Sequence, residues 1–218
     1  MCCEWCLKGD VHLCMDVVEN GSWSPYGGFS SSIVVEDGFA YPLPEEMPSE
    51  DAAVLMCAGF TVFTALSRNC TLPSLKIGIV GIGGLGHLAI QFAKAMGYEV
   101  TAISSSPGKR EEALTLGANR FIAVSDKAAL NQAEFYFDLL YITAHGGIAW
   151  GDMMKILKKK GKLVLSGFPQ VNLSSVDLVS HELSIVGSFL GTQAEMCEML
   201  NFYFTYNDST EKTPISGK

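Results

Sequence analysis

Four cysteines lie within the first fourteen residues: Cys2, Cys3, Cys6 and Cys14. Thiolates at such short spacing bind a soft metal ion such as Zn²⁺, or pair as disulfides in an oxidising compartment. The first residues lack the basic-then-apolar order of a signal peptide, which favours a reducing compartment. The cluster therefore predicts a metal site, and cysteines that no longer bind metal are the alternative.

A glycine motif forms the second group of residues with chemical potential. In VGIGGLG, the spacing G-x-G-x-x-G follows the strand-like run KIGIV and precedes a helical pattern. These glycines allow a tight turn, close approach of a pyrophosphate and close helix packing, while the helix N-terminus attracts the anion. The motif predicts a dinucleotide site, with a turn that serves packing alone as the alternative. Its residues are Gly81, Ile82, Gly83, Gly84, Leu85 and Gly86.

The end of the next strand indicates which dinucleotide binds. An NAD site places Asp or Glu about 20 residues after the glycines, but Ser104, Ser105 and Ser106 stand there, followed by Lys109 and Arg110. Hydroxyls with nearby cations suit a 2′-phosphate, so we predict that these five residues bind NADP. A solvated serine-rich loop that caps the next helix is the alternative, and both can hold together.

The elements that must position these residues alternate along the chain from Leu75 onward. Apolar runs predict buried strands at 76–80, 100–104, 137–142, 162–167 and 183–190. Helical patterns begin near Gly84 and cover 107–116 and 148–157. This alternation predicts an α/β fold, a doubly wound Rossmann sheet with helices on both faces.

The sequences on either side of this core differ from it. Residues 26–48 are rich in Gly, Ser and Pro with one strand-like run, which predicts part of a β-rich unit. Ser49 resembles the N-cap of a long apolar helix. From Asn207 onward the chain is polar and aperiodic, which predicts a frayed tail.

Charge and hydropathy narrow the class of partners. The chain has 15 Lys and Arg against 23 Asp and Glu, a net charge of −8, which disfavours binding along nucleic-acid phosphates. We expect no apolar run of the ~18 residues that span a bilayer. The composition predicts a cytoplasmic protein whose partners include neither nucleic acid nor a membrane.

With these motifs identified, the chain resembles the zinc-dependent medium-chain dehydrogenases, in particular their cinnamyl-alcohol-dehydrogenase-like branch. Five blocks in the family's order carry the resemblance over about residues 3–205: YGGFSSSIVV, LMCAGFTVFTAL, GIVGIGGLGHLAIQFAKAMG, ISSSPGKREEALTLGA and IVGSFLGTQAEMCEMLNF. The resemblance implies an NADP-linked zinc enzyme that transfers hydride between nicotinamide and a small alcohol or aldehyde. It also implies a GroES-like β-rich catalytic domain and a homodimer paired through LSIVGSFL.

The resemblance also assigns residues. It implies that Cys57 is a catalytic-zinc ligand, although without the family we would interpret Cys57 as a buried helical thiol. It implies that six residues line the nicotinamide half of the cofactor site: Thr61, Thr143, Gly167, Ser188, Phe189 and Leu190.

The family's structural zinc lobe has the spacing C-x2-C-x2-C-x7-C. Cys3, Cys6 and Cys14 fit its second, third and fourth positions, so the first position falls before Met1. Cys2 and His12 are the alternative fourth ligands within this chain.

Other family motifs are expected outside these residues. A Cys and a Gly-His-Glu motif that complete the catalytic zinc precede the lobe in the family, and strands returning to the catalytic domain follow the last helix. We therefore expect an incomplete, inactive chain: 1–57 a partial catalytic domain with the zinc lobe, 58–191 an NADP-binding Rossmann domain, and 192–218 a helix and polar tail. The alternatives are a non-catalytic NADP-binding module or degenerate paralogue, and a zinc-free quinone-reductase-like enzyme, which the cysteines disfavour.

Overall fold

The computed structural model describes residues 2–16, 30–45, 47–208 and 213–217. Six strands form one sheet: β1 Lys76–Val80, β2 Glu99–Ser104, β3 Arg120–Ala123, β4 Phe137–Ile142, β5 Leu157–Leu165 and β6 Ser184–Gly187. Their order is β3-β2-β1-β4-β5-β6, and all neighbouring strands are parallel. This is the strand order of a dinucleotide-binding Rossmann sheet, so the predicted fold class is confirmed.

Helices cover both faces of the sheet. The α-helices of the described residues are α1 Glu4–Leu7, α2 Ser49–Val54, α3 Phe60–Asn69, α4 Gly84–Ala95, α5 Arg110–Thr115, α6 Lys127–Gln132, α7 Trp150–Ile156, α8 Ser175–Ser180 and α9 Gln193–Asn207, of which α1 lies in the N-terminal cysteine segment. Ile77 and Ile79 point to the core that contains α3, α4 and α9. Val80 joins the opposite core, with residues of α6 and α7. The alternation along β1 thus divides the apolar residues between two layers.

The strand predictions hold for β1 and β4 and differ elsewhere. β3 was not predicted, because it has four residues and begins with the exposed Arg120. β5 begins at Leu157, five residues before the predicted start, because Leu157 pairs with Phe137 ahead of a register shift. Lysines at the start of β5 conceal this strand in the sequence. The last predicted strand, 183–190, is shorter in the structure and covers Ser184–Gly187.

A continuous helical stretch of 21 residues, Ser49–Asn69, leads into the sheet. Its N-cap is Pro48 rather than the predicted Ser49, and a π-helical turn, Leu55–Gly59, separates α2 from α3. By length and a mean hydropathy of 1.3 alone this stretch could cross a membrane, although its uninterrupted apolar part, 52–66, is shorter than the expected ~18 residues. Half of its most apolar window is nevertheless buried inside the protein, where it contributes to the main core.

Both flanking predictions need correction. Residues 30–45 contain no strand, and Val34 is 96% exposed, because no neighbouring strand among the described residues pairs with this run. The first residues of that run, 26–29, lie outside the described residues, as do 209–212 and Lys218 of the polar tail. Residues 215–217 are packed rather than frayed, and Ile215 is 1% exposed.

Candidate functional site

The glycine turn lies at the carboxyl end of β1, directly before α4. Gly81 has φ +97°, a left-handed conformation that favours glycine. A Cβ on Gly86 would lie 1.9 Å from the carbonyl oxygen of Gly81. Gly86 therefore lets the first turn of α4 pack on the loop, which is the packing role predicted for the third glycine.

Thr143 joins this turn to the end of β4. Its Oγ1 donates to the carbonyl oxygens of Gly81 at 2.9 Å and Val80 at 3.2 Å. Thr143 is 6% exposed, so these bonds form in a nearly dry environment. The resemblance implied a nicotinamide contact, but here the side chain of Thr143 stabilises the glycine turn.

A cavity of about 460 Å³ lies over the turn. It is lined by most of the predicted cofactor residues: Gly81, Ile82, Gly83, Gly84, Leu85, Ser104, Ser105, Ser106, Lys109 and Thr143. A Cβ on Gly83 or Gly84 would meet no atom within 4 Å, so the turn leaves open space for a ligand. Such a cavity fits a pyrophosphate held by helix N–H groups.

The sequence reasoning missed one wall of this cavity, the loop 144–149 after β4. The sequence alone gives no signal for it, because its place depends on β4 lying beside β1 on the opposite side from β2. In a sheet of this order, the ligand crevice lies at the carboxyl ends of the strands where the strand order reverses, and the loops after β1 and β4 border it.

The cation-rich end of the cavity follows β2. Lys109 lines the cavity, and its Nζ donates to the carbonyl oxygen of Ile82. Ser104 is buried, and its Oγ accepts from the backbone N–H of Ser106 at 3.1 Å. The Arg110 guanidinium lies 5.3 Å from the centre of the Phe121 ring and does not line the cavity. Lys109 is therefore the cation placed to meet a phosphate here.

Three residues implied for the nicotinamide half line a separate cavity of about 370 Å³: Gly167, Ser188 and Phe189. His12 and Arg68 also line this cavity. Arg68 forms a two-bond ion pair with Glu195, with both contacts at 2.6 Å. Burial and the Arg68 charge lower the pKa of His12, which favours a neutral imidazole.

The other two predicted nicotinamide contacts lie outside both cavities. The backbone oxygen of Leu190 accepts from Thr64 Oγ1 at 2.7 Å, which ties the segment after β6 to α3. Thr61 Oγ1 donates to the carbonyl oxygen of Cys57 at 2.9 Å. Their observed bonds are therefore structural.

Cys57 lies on the π-helical turn, and its side chain is exposed. It is thus not the buried helical thiol that its sequence context alone predicts. Such turns are rare and often mark functional sites. Among the described residues, no group of three clustered metal-binding side chains contains Cys57. Cys57 is therefore a single candidate ligand here, whereas a catalytic zinc takes three ligands from the protein.

The lobe cysteines meet as predicted. Cys3 Sγ lies 3.5 Å from Cys6 Sγ and 4.0 Å from Cys14 Sγ, and the three sulfurs lie within 4.8 Å of one another. A tetrahedral zinc with sulfur ligands at ~2.3 Å requires sulfurs about 3.8 Å apart, so the cluster fits this ion. Cys2 and His12, the alternative fourth ligands, do not belong to this group.

We expect zinc binding to this lobe to strengthen as pH rises. Backbone N–H groups of Cys6 and Met15 lower the pKa of Cys3 to about 7, whereas desolvation and the neighbouring thiols raise that of Cys6 to about 11. Zinc must displace at least the Cys6 proton below pH 8, so affinity should rise at least about tenfold per pH unit. Competition with a chelator of known pH dependence measures this.

Cys6→Ser should weaken zinc binding strongly, and Cys197→Ser, which removes an exposed thiol outside the cluster, should not. Affinity independent of pH, or equal loss in both variants, would contradict this prediction.

Comparison with known proteins agrees with the fold. Residues 84–205 match the family model described as zinc-binding dehydrogenase. A probable formaldehyde dehydrogenase of Bacillus subtilis is 39% identical over 92% of this chain and 60% of its own length. A probable cinnamyl alcohol dehydrogenase of Oryza sativa is 37% identical over 88% of this chain and 57% of its own length.

Solved structures give the same result. A cinnamyl alcohol dehydrogenase of Sorghum bicolor superposes with a TM-score of 0.86 at 37% identity, over 94% of this chain and 62% of that one. One from Helicobacter pylori, complexed with NADP(H), gives 0.82 at 28% identity, over 94% and 61%. The chain thus spans about three fifths of the length of such relatives. It belongs to the zinc-binding dehydrogenase family, as a zinc-type medium-chain member similar to cinnamyl alcohol dehydrogenases.

Proposed function

We propose that this chain binds NADP(H) as part of a zinc-dependent alcohol dehydrogenase or aldehyde reductase in the cytoplasm. The glycine-lined cavity at the carboxyl ends of β1, β2 and β4 carries this proposal. Gly83 leaves room for a pyrophosphate, and Thr143 fixes the turn in position. Relatives named as NADP-dependent alcohol dehydrogenases support the same cofactor.

The end of β2 supports NADP(H) over NAD(H). Ser104, Ser105 and Ser106 provide hydroxyl and amide donors, and Lys109 brings a cation to the cavity wall. A carboxylate at this position would accept bonds from a ribose hydroxyl and repel a phosphate. The five predicted residues remain candidates for the 2′-phosphate, with Arg110 the least directly placed.

The proposed enzyme would contain two zinc ions, one structural and one catalytic. Cys3, Cys6 and Cys14 would hold a structural ion, and Cys57 would give one ligand to a catalytic ion. When bound, the nicotinamide carries the hydride and the catalytic zinc polarises the carbonyl. The described residues fit the structural ion but not a complete catalytic one, so their own part in the chemistry is to hold and orient the cofactor.

We expect the 218-residue chain by itself not to reduce aromatic aldehydes. A single thiolate from Cys57 cannot fix the geometry of a catalytic zinc, which takes three protein ligands and one open position. The test is NADPH consumption by folded protein with zinc and an aromatic aldehyde. Turnover near ~1 s⁻¹ that Cys57→Ser abolishes and Cys197→Ser preserves would contradict this expectation.

We also propose a homodimer paired through β6. This strand is the last in the sheet, and Ser184, Ile185 and Gly187 on it are exposed. Unpaired edge strands favour pairing with a second copy across a two-fold axis. Sedimentation at micromolar concentration should show a dimer that Ile185→Lys weakens; a monomer alone would count against the pairing.

A further inference from the structure

The C-terminal segment 213–217 occupies a groove lined by α2, α4 and α9. Ile215 is 1% exposed and belongs to the main hydrophobic core. The segment thus adds one apolar side chain to a core whose other members come from earlier parts of the sequence. The polar, aperiodic sequence from Asn207 onward gives no indication that Ile215 is buried.

Side-chain amides bind the backbone of this segment on both its donor and acceptor sides. Ile215 donates its N–H to Asn207 Oδ1 at 2.9 Å, and its carbonyl accepts from Asn207 Nδ2 at 2.8 Å. Ser216 makes the same pair of bonds with Gln91, at 2.9 and 3.0 Å. Each of these two residues is therefore held by a pair of bonds like the pair exchanged by hydrogen-bonded residues of antiparallel strands.

The third anchor is the N–H of Gly217, which donates to Asp51 Oδ1 at 3.0 Å. The other carboxylate oxygen of Asp51 accepts from the Tyr203 hydroxyl at 3.0 Å. Burial and the Asp51 charge raise the pKa of Tyr203 to about 12, so this hydroxyl keeps its proton at neutral pH. The carboxylate is fixed, and Asp51 itself is 8% exposed.

The groove also selects side chains. It buries the whole aliphatic side chain of Ile215, whereas a Cβ at Gly217 would lie 3.0 Å from Val54 Cβ and Cγ2. Five backbone bonds give affinity, and these two positions give specificity. This division of roles is typical of sites that bind extended peptides.

We propose that the groove between α2, α4 and α9 is a recognition site for an extended peptide of the pattern aliphatic–any–glycine, and that its occupant is this chain's own segment 213–217. Asp51 lies on α2, which leads into the π-helical turn that carries Cys57. Gln91 lies on α4, which begins at the glycine turn. The bound segment therefore links the two helices that lead to the candidate site.

Hydrogen exchange on the unmodified chain is the first test. The amides of Ile215, Ser216 and Gly217 should exchange at least ~100-fold more slowly than in an unstructured peptide. Exchange at the unstructured rate would overturn the proposal. Protection that disappears on dilution would overturn occupancy by the chain's own segment and assign the groove to the tail of a second copy.

Peptide binding is the second test. A labelled peptide, EKTPISGK, should bind folded Ile215→Asp protein saturably, and unmodified protein at least ~10-fold more weakly, because its groove is filled. Adding Asn207→Ala or Gln91→Ala to Ile215→Asp should weaken binding, and a peptide with Ile replaced by Asp should not bind. Equal binding to both proteins, or none to the folded variant, would overturn the proposal.

Discussion

Gly86→Ala should both destabilise the fold and reduce NADPH affinity more than about tenfold. The new Cβ would lie 1.9 Å from the Gly81 carbonyl oxygen and 3.1 Å from Thr143 Oγ1. The close contact is with backbone, so α4 must move away from the turn, and the free energy of unfolding should fall by about 3 kcal/mol. Urea unfolding and a fluorescence titration with NADPH measure the two effects.

Gly83→Ala should lower NADPH affinity without a loss of stability. A Cβ at this position meets no atom within 4 Å, so stability should change by no more than ~0.5 kcal/mol. The methyl group would nevertheless occupy space above the turn that a pyrophosphate needs, and NADPH affinity should fall at least about tenfold.

The matched control is Gly151→Ala, on the exposed surface of α7 with open space around its Cβ. It should raise stability by ~0.5–1 kcal/mol because alanine favours helix, and it should leave NADPH affinity unchanged. Unaltered stability in Gly86→Ala, or unaltered affinity in Gly83→Ala, would contradict the roles given to these glycines.

Lys109→Ala combined with Ser105→Ala should lower NADPH affinity at least about tenfold and leave NADH affinity unchanged. Both residues line the cavity beyond β2, and the Lys109 ammonium lies against the Ile82 carbonyl of the turn. Each charge-assisted bond to a phosphate contributes ~1.5–3 kcal/mol, and NADH has no 2′-phosphate to lose such bonds.

The control for charge is Lys155→Ala, which removes an exposed cation on α7 that does not line this cavity. Its effect on NADPH affinity should be less than about twofold, because a solvent-exposed charge that does not contact the ligand interacts with it weakly through water and salt. If the double variant lost equal affinity for NADPH and for NADH, the residues at the end of β2 would not be binding the 2′-phosphate.

The sequence predicted the turn and its neighbours because their signals are local. KIGIV is a continuous apolar run, Gly81 adopts a positive φ, and a Cβ on Gly86 would meet the carbonyl oxygen of Gly81 five residues earlier. The three lobe cysteines are similarly close in sequence, and they converge as expected. In contrast, the wall formed by 144–149 depends on which strand lies beside β1, which only the sheet order decides.

The packed tail could not be predicted, because its partners are distant in sequence. Gln91 and Asp51 bind it across 125 and 166 residues. Thr143 shows a related limit, because it lines the cavity over the glycine turn but its hydroxyl donates to the Gly81 carbonyl oxygen, a bond that the sequence does not indicate. Such choices of hydrogen-bond partner depend on tertiary distances.

The central claim is tested most directly by titrating the unmodified 218-residue chain with NADPH and, separately, with NADH. Nucleotide fluorescence should show saturable binding of one NADPH per chain, at least about tenfold tighter than NADH, since one charge-assisted bond more than accounts for that ratio. Folded protein that binds neither nucleotide, or that binds NADH as tightly as NADPH, would contradict the account.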